Sequence, residues 1–402
     1  MGTDLDLTEF DTPETARNKT LGSIAALLER NNIAIDDVGK ISKVRVGDHT
    51  VVTKDPKTGE ITETVAPNSS IIFAPSWETG PQWPVVQPAK PITVRYTVPK
   101  TTAATPAGFK TAFIFPDIQA GFYRRTDGTL VPIHDVAAID VALQMLAFVK
   151  PDVVIFVGDN ADLAEMSKYR LSPLFQSTVQ ATVDYLDQLL ARVRAIVGDE
   201  CEIRWVEGNH ELRMSVYILD NAKAAFGIRK AGAPEQWPAL SIPYLCNFDH
   251  HGVQYIPGYP ANRTWINNRL QVIHGTHVVS NGSTAHRYLA HERVSTIYGH
   301  IHRREWAERT KTGHDGPFTI MAMSSGCLAR IDGAVPSTKG GMDLDGAPVT
   351  NVEDWQQGIG IITYQDGEGA FFPEQVAIHS GMAMLRGRLF SATVDHEGNP
   401  LA

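Results

Sequence analysis

Short apolar runs that stop abruptly at a polar block recur through the central part of the chain. Ala112 to Phe115 runs into Asp117-Ile118-Gln119, Val153 to Val157 into Gly158-Asp159-Asn160-Ala161-Asp162, and Ile203 to Val206 into Gly208-Asn209-His210-Glu211. Leu270 to Ile273 meets His274-Gly275-Thr276-His277, and Thr296 to Tyr298 meets Gly299-His300-Ile301-His302. Runs of this length, rich in β-branched and aromatic residues, predict buried strands. Between the first three, apolar positions recur at helical spacing. Val136, Ile139, Leu143 and Leu146 predict a helix beginning near His134-Asp135, and Val183, Leu186, Leu190 and Val193 predict one over Ser172 to Val197. Val253 to Ile256, Phe318 to Met323 and Gly360 to Tyr364 add strands with few helices between them, so a second sheet is expected. The whole reads as an α/β fold of α+β sandwich type: two mixed β-sheets flanked by helices, with the polar blocks at strand ends, where such sheets place ligands.

The first hundred residues follow another pattern. Thr12 as N-cap, Pro13 in the first turn and Leu21, Ile24, Ala25 and Leu28 at helical spacing predict a helix from Pro13 to about Arg30. A short helix or turn at Asp36-Asp37 and a β-branched run from Ile41 to Val52 follow. Acidic residues outnumber basic ones here, which favours a packing or oligomerisation appendage over a DNA-binding helix-turn-helix unit. Residues 55–106 are rich in Pro, Thr, Gly and Ser, with Trp77 and Trp83 to pin them down, and read as a linker or small β element over the main domain. The expected division is therefore a helical/β unit at 1–54, this segment at 55–106, the main domain at 107–380 and a tail at 381–402, partly ordered at Arg388 to Val394.

Composition narrows the function. The 402 residues are 43% hydrophobic and 20% charged, an ordinary globular mixture. A net charge of -9 opposes wrapping nucleic acid by bulk electrostatics but leaves room for a local basic rim. Cys201, Cys246 and Cys327 form no C-x-x-C pair, so neither a disulfide framework nor a thiolate zinc site is expected, and a reducing, cytoplasmic setting fits. No apolar run is long enough for a membrane span, and the acidic start does not resemble a secretory signal.

The polar blocks carry the chemistry. Asp117, Gln119, Asp159, Asn209, His274, His300 and His302 are all oxygen or imidazole donors, a set suited to Mn²⁺, Mg²⁺, Fe or Zn²⁺. An Asp after a strand is by itself most simply a helix N-cap. His300 and His302, one residue apart, place both imidazoles on one side of an extended segment. Five blocks in this order, over roughly residues 111 to 330, resemble the calcineurin-like metallophosphoesterase superfamily, whose pattern runs D-x-H, G-D-x-x-D, G-N-H-[ED], a later His, and G-H-x-H.

The resemblance implies two divalent metal ions, Mn²⁺ being favoured. Asp117, Asp159 and His302 would hold the first, with Gln119 beside them. Asn209, His274 and His300 would hold the second, with Asp159 as the bridge. His210 would be the catalytic histidine, acting with Asp159 in hydrolysis of a phosphate ester by a metal-bridging hydroxide. Gln119 departs from the pattern, standing where the family has His, and an amide oxygen is a weaker ligand for borderline metals. Asp162 and Glu211 are expected to orient ligands or start a helix, His277 to lie outside the ligand set, and His286 and His291 to face solvent from a helix. Ser324-Ser325-Gly326 reads equally as a pocket wall or a turn. Arg124, Arg125 and Arg213 are the candidate substrate contacts, since guanidinium forks match phosphate oxygens. The long N-terminal extension, Gln119 and the basic loops resemble phage- or prophage-encoded members, whose setting would be the host cytoplasm. On that likeness the expected activity is that of a phosphodiesterase or nuclease acting on nucleic acid or a nucleotide. A phosphomonoesterase of protein-phosphatase type and an inactive metal-binding scaffold are the alternatives.

Overall fold

The computed structural model describes residues 22, 25–26, 28–29, 41–73, 107–168, 172–232, 237–280, 282–335 and 353–401. The chain divides into two units, Met1–Pro99 and Lys100–Ala402. In the first, Gly22, Ala25, Ala26, Leu28 and Glu29 are helical; the rest of the helix expected over Pro13 to Arg30 and the turn at Asp36-Asp37 lie outside the described residues. Strands β1 (Ile41–Lys54) and β2 (Ile61–Phe73) pair antiparallel, so this ribbon runs through position 54/55. Asp55 makes its turn, its side chain accepting from the Lys57 N–H at 2.7 Å and the Thr58 N–H at 3.2 Å.

In the second unit, β3 (Lys110–Phe115) leads to a small hairpin of β4 (Phe122–Arg124) and β5 (Leu130–Pro132). Helix α1 (Val136–Val149) follows, with Asp135 as its N-cap, then β6 (Val153–Phe156). Helix α2 spans Val179–Val197 and not the whole of Ser172 to Val197: a separate turn occupies Pro173–Phe175, and Ser177 takes φ 56. The cause is Glu165, whose carboxylate accepts from the N–H groups of Ser177, Thr178 and Val179 at 2.9, 2.5 and 3.1 Å, starting the helix there. Next come β7 (Glu202–Val206), α3 (Asn209–Asn221), β8 (Val253–Ile256), β9 (Thr264–Asn267) and β10 (Leu270–Ile273). Helix α4 (Thr284–His291) precedes β11 (Ser295–Tyr298), β12 (Arg304–Gly313), β13 (Gly316–Ser325), β14 (Gly358–Tyr364), β15 (Phe371–Ala377), and the terminal hairpin β16 (Met382–Leu385) with β17 (Arg388–Ser391).

Two mixed sheets result, in the orders β15-β14-β3-β6-β7-β8 and β12-β13-β11-β10-β9. Strands β3, β6, β7 and β8 run parallel, as do β10, β11 and β13. Period-two alternation assigns the faces. On β3, Phe113 and Phe115 join the core shared with α1 and α2, whereas Ala112 and Ile114 join Val272, Ile297 and Met323 between the sheets. A third cluster, with Ala285, Tyr288 and Leu289, seals α4 onto the second sheet, completing a helix–sheet–sheet–helix sandwich. Phe115, Phe156 and Trp205 are direct neighbours across β3, β6 and β7, with ring centroids 5.0 and 5.1 Å apart. Such pairs contribute about 0.5–1.5 kcal/mol each beyond their burial. They stiffen the strand ends from which Asp117, Asp159 and Asn209 depart.

Candidate metal centre

Strands β3, β6 and β7 run parallel in one sheet and β10 and β11 in the other, and the five loops that follow them bring their polar blocks together. Asp159, His274 and His300 form one group whose ligand atoms lie within 4.8 Å of one another, and Asp117, Asp159 and His302 form another. Asp159 belongs to both. Its Oδ1 accepts the His210 N–H at 2.8 Å, while Oδ2 faces His274 Nε2 at 3.2 Å. Asn209 Oδ1 lies 3.1 Å from the same His274 nitrogen, and His302 Nε2 lies 3.3 Å from Asp117 Oδ1. Trp355 packs over the His302 ring at 4.1 Å.

The backbone is bent to achieve this. Gln119, Asp159, His300 and His302 sit at φ values of 53, 50, 71 and 56, a region that costs a non-glycine residue about 1–3 kcal/mol and persists where its surroundings enforce it. Glu211 supplies much of that enforcement for the Asp159 loop. Its buried carboxylate accepts from the N–H groups of Asp159, Asn160, Ala161 and Gly208 at 2.9, 2.8, 3.2 and 2.8 Å. Burial, then the charge of Asp159, raises its pKa above the usual range. A Cβ on Gly208 would overlap Asp159 Oδ1 and N, so only glycine lets the two loops close.

The cluster fits a cation. Asp117 Oδ2 and Gln119 Oε1 are buried without a hydrogen-bond partner among the described residues, a costly condition unless something positive is bound. Gln119 Nε2 lies 3.2 Å from His302 Nε2 and 3.5 Å from Asp159 Oδ2, so the amide end reaches the first group, where its oxygen would serve as the donor to an ion. Electrostatics agree in sign. Burial works against the charge on Asp159, yet His210, His274 and His300 hold it well below the usual carboxylate range. Burial also opposes the charge on His274, but Asp159, Asp117 and Glu211 lift it to about 9. His300, buried and beside His274, falls to about 4. His274 Nδ1 lies 3.0 Å from the Val157 carbonyl; donation there leaves Nε2 as the ligating atom.

His210 stands beside this cluster. Its Nδ1 lies 3.1 Å from Asp162 Oδ1, off the line of a good hydrogen bond, and Arg213 Nη2 is 2.7 Å from Nε2. A carboxylate can only accept and a guanidinium can only donate, so the proton rests on Nδ1 and the lone pair on Nε2. Arg213 also donates to the Asp162 carbonyl at 2.7 Å. The two other candidate arginines are engaged elsewhere. Arg124 bonds the carbonyls of Gly128 and Ser177, both at 3.0 Å, and Arg125 pairs with Glu397 at 2.8 Å. At the end of β4, both have guanidinium groups bound to the hairpin turn, to Ser177 and to Glu397. His277 packs against Tyr288 and His291, outside both ligand groups, and His286 and His291 are exposed. Ser324 and Ser325 are buried at the end of β13.

Two residues near the cluster were not anticipated. Glu207, the last residue before Gly208, accepts from the Tyr255 hydroxyl at 2.9 Å and from the N–H groups of Gly258 and Tyr259 at 2.7 and 3.0 Å. The Tyr259 ring thereby lies edge-on to His274, 5.7 Å away, and burial with the charge of Asp159 pushes its phenol up to about 12. A charged residue at the end of the apolar run Ile203 to Val206 was the one available signal for Glu207; Tyr259 offered none.

Residues 117–304 match a family model described as calcineurin-like phosphoesterase. No curated protein matches the chain. Among solved structures, the chain is similar to Yfce, a phosphoesterase from E. coli, at 12% identity, covering 67% of this chain and 100% of that one with a TM-score of 0.26. It is likewise similar to a dimetal phosphatase from Danio rerio at 12% identity, covering 66% of this chain and 95% of that one with a TM-score of 0.28.

Proposed function

We propose, for a chain whose residues 117–304 match a calcineurin-like phosphoesterase family model, that the protein is a dinuclear metal-dependent hydrolase of phosphate esters. The observation that carries this is the sharing of Asp159 between two three-residue ligand groups, buried except for the half-buried His300. Asp117, Gln119, Asp159 and His302 would hold one divalent ion, and Asp159, Asn209, His274 and His300 the other, with Mn²⁺ favoured by the mostly oxygen and imidazole donors. When bound, two such ions supply Lewis acidity toward phosphoryl oxygens and lower the pKa of a water.

The chain's own groups do the rest. Arg213, resting on His210 Nε2, can turn its donors to a phosphoryl oxygen as substrate enters. That would free Nε2 to take up a proton from solvent and pass it to the leaving alkoxide, while Asp162 at Nδ1 balances the imidazolium. With Arg213 the guanidinium that the described residues bring to His210, the site suits a singly charged diester better than a dianionic monoester. This supports a phosphodiester of nucleic acid or a nucleotide as substrate. No helix among the described residues is long and apolar enough to cross a membrane.

The test is turnover of bis-p-nitrophenyl phosphate, p-nitrophenyl phosphate and single- and double-stranded DNA by the Mn²⁺-loaded protein. Diester and DNA hydrolysis are expected, with Asp159→Asn reducing the rate at least about a hundredfold, in the range of lost electrostatic catalysis. Cleavage of the monoester alone would replace the diester reading with a phosphomonoesterase. Metal binding without turnover of any substrate would leave a scaffold.

A further inference from the structure

The loop from Pro257 to Asn262 is fastened to the strand end that delivers Asn209 and His210. All three donors to the Glu207 carboxylate come from Tyr255, Gly258 and Tyr259, and the Asn262 side chain closes the loop by donating to the carbonyls of Glu207 and Ile256 at 2.9 and 2.8 Å. Glu207 is 7% exposed, and a buried carboxylate stripped of its donors is costly, so the strand end and the loop keep one geometry. Within this loop the backbone N–H groups of Gly258 and Tyr259 are satisfied, but the Tyr259 phenol has no partner among the described residues. Its ring is half-buried, edge-on to His274, and its oxygen lies within reach of the Asp159 charge.

We propose that Tyr259 is a substrate-contacting residue, its phenol donating a hydrogen bond to a phosphoryl oxygen on the His274 side of the site, and that Glu207 is the positioning residue that holds it there. The inference rests on the phosphoesterase reading. It assigns the Tyr259 hydroxyl to the face of the phosphoryl group opposite Arg213, so that two donors from different loops bracket it. A neutral O–H donor suits this side, because a further cation beside His274 would compete with the metal.

The experiment is calorimetric titration of inorganic phosphate into the Mn²⁺-loaded protein, with metal content measured in parallel. Tyr259→Phe removes only the unpartnered oxygen and should keep wild-type metal content and melting temperature while raising the phosphate Kd about tenfold or more, the size of one lost hydrogen bond to a charged acceptor. Glu207→Gln, which cannot accept from all three donors, should raise Kd by a similar factor. The double variant should be little worse than either single one, because both changes remove the same contact. An unchanged Kd in Tyr259→Phe would overturn the phenol's role, and independent, multiplying effects would overturn the link to Glu207. Metal-loaded wild-type protein that binds no phosphate would overturn the phosphoesterase reading itself, and this inference with it.

Discussion

In the proposed site, Gln119 is the residue that would set how tightly the first ligand group holds a metal. Its amide end meets His302 and Asp159 as a ligand's would, yet as a neutral oxygen donor it gives less to a borderline cation than imidazole does. Gln119→His should therefore tighten binding at the first group by about tenfold or more, a gain of about 1.4 kcal/mol, and shift preference from Mn²⁺ toward Zn²⁺. Competitive titration with the two metals reads both effects. Equal affinities in wild type and variant would remove Gln119 from the ligand set. The left-handed backbone at this position, φ 53, accepts either residue at similar strain, so the comparison isolates the donor atom. The substitution of an amide for imidazole was visible in the sequence as a departure from a pattern. Its meaning required the orphaned Oε1, which only folding reveals.

At the scale of elements, what the chain announced in advance was the set of strands ending in polar blocks. Each buried run, from Ala112 to Phe115 through Thr296 to Tyr298, is predominantly apolar, broken only by Arg204, Gln271 and Thr296, because it is largely covered on both faces, and such runs are readable locally. Strand β12 was not, since seven of its ten residues carry polar side chains and it lies at a sheet edge, half in solvent. The start of α2 was also hidden, because its cap, Glu165, lies outside the periodic stretch. Long-range fastenings, such as Glu207 to Tyr259 or Glu211 to Asp159, span about fifty residues and leave no periodic trace. The loop closure at Gly208 is the element-scale feature most exposed to test. Gly208→Ala drives a methyl into Asp159 and, 2.9 Å away, Glu211 Oε2, so the Asp159 loop must retreat from α3. Overpacking of this kind costs about 1–3 kcal/mol. The variant is expected to lose that stability in urea denaturation and to bind metal substoichiometrically; full metal content would show that the loops tolerate separation.

For the whole second unit, the response to acid is set partly by a histidine remote from the ligand groups. His134 is fully buried where β5 meets α1, its ring 4.0 Å from Tyr185 and 5.3 Å from Phe122. Nδ1 lies 3.1 Å from the Gly121 carbonyl, and Nε2 has no partner among the described residues. Burial first, then the positive charge of Arg330, lowers its pKa to about 3, although the bond to Gly121 works the other way. The folded protein therefore keeps His134 neutral, whereas in the unfolded chain it titrates near about 6.5. Below that value the unfolded state binds a proton that the folded state refuses, so stability conferred by His134 is complete above about pH 6.5 and is lost progressively as pH falls toward about 3. The slope approaches about 1.4 kcal/mol per pH unit for this one group. Asp187, whose pKa is lowered by Asn247 and His251 against the effect of burial, acts in the same direction only at lower pH, near the carboxylate range. Urea denaturation of wild type and His134→Gln at pH 7.5, 6.5, 5.5 and 4.5 separates the histidine's share. The two stability curves should converge as pH falls, the variant losing less because Gln carries no titrating group. Curves that stay parallel across this window would mean that His134 is protonated in the folded protein and that its ring has found solvent or an acceptor in the Tyr185 pocket.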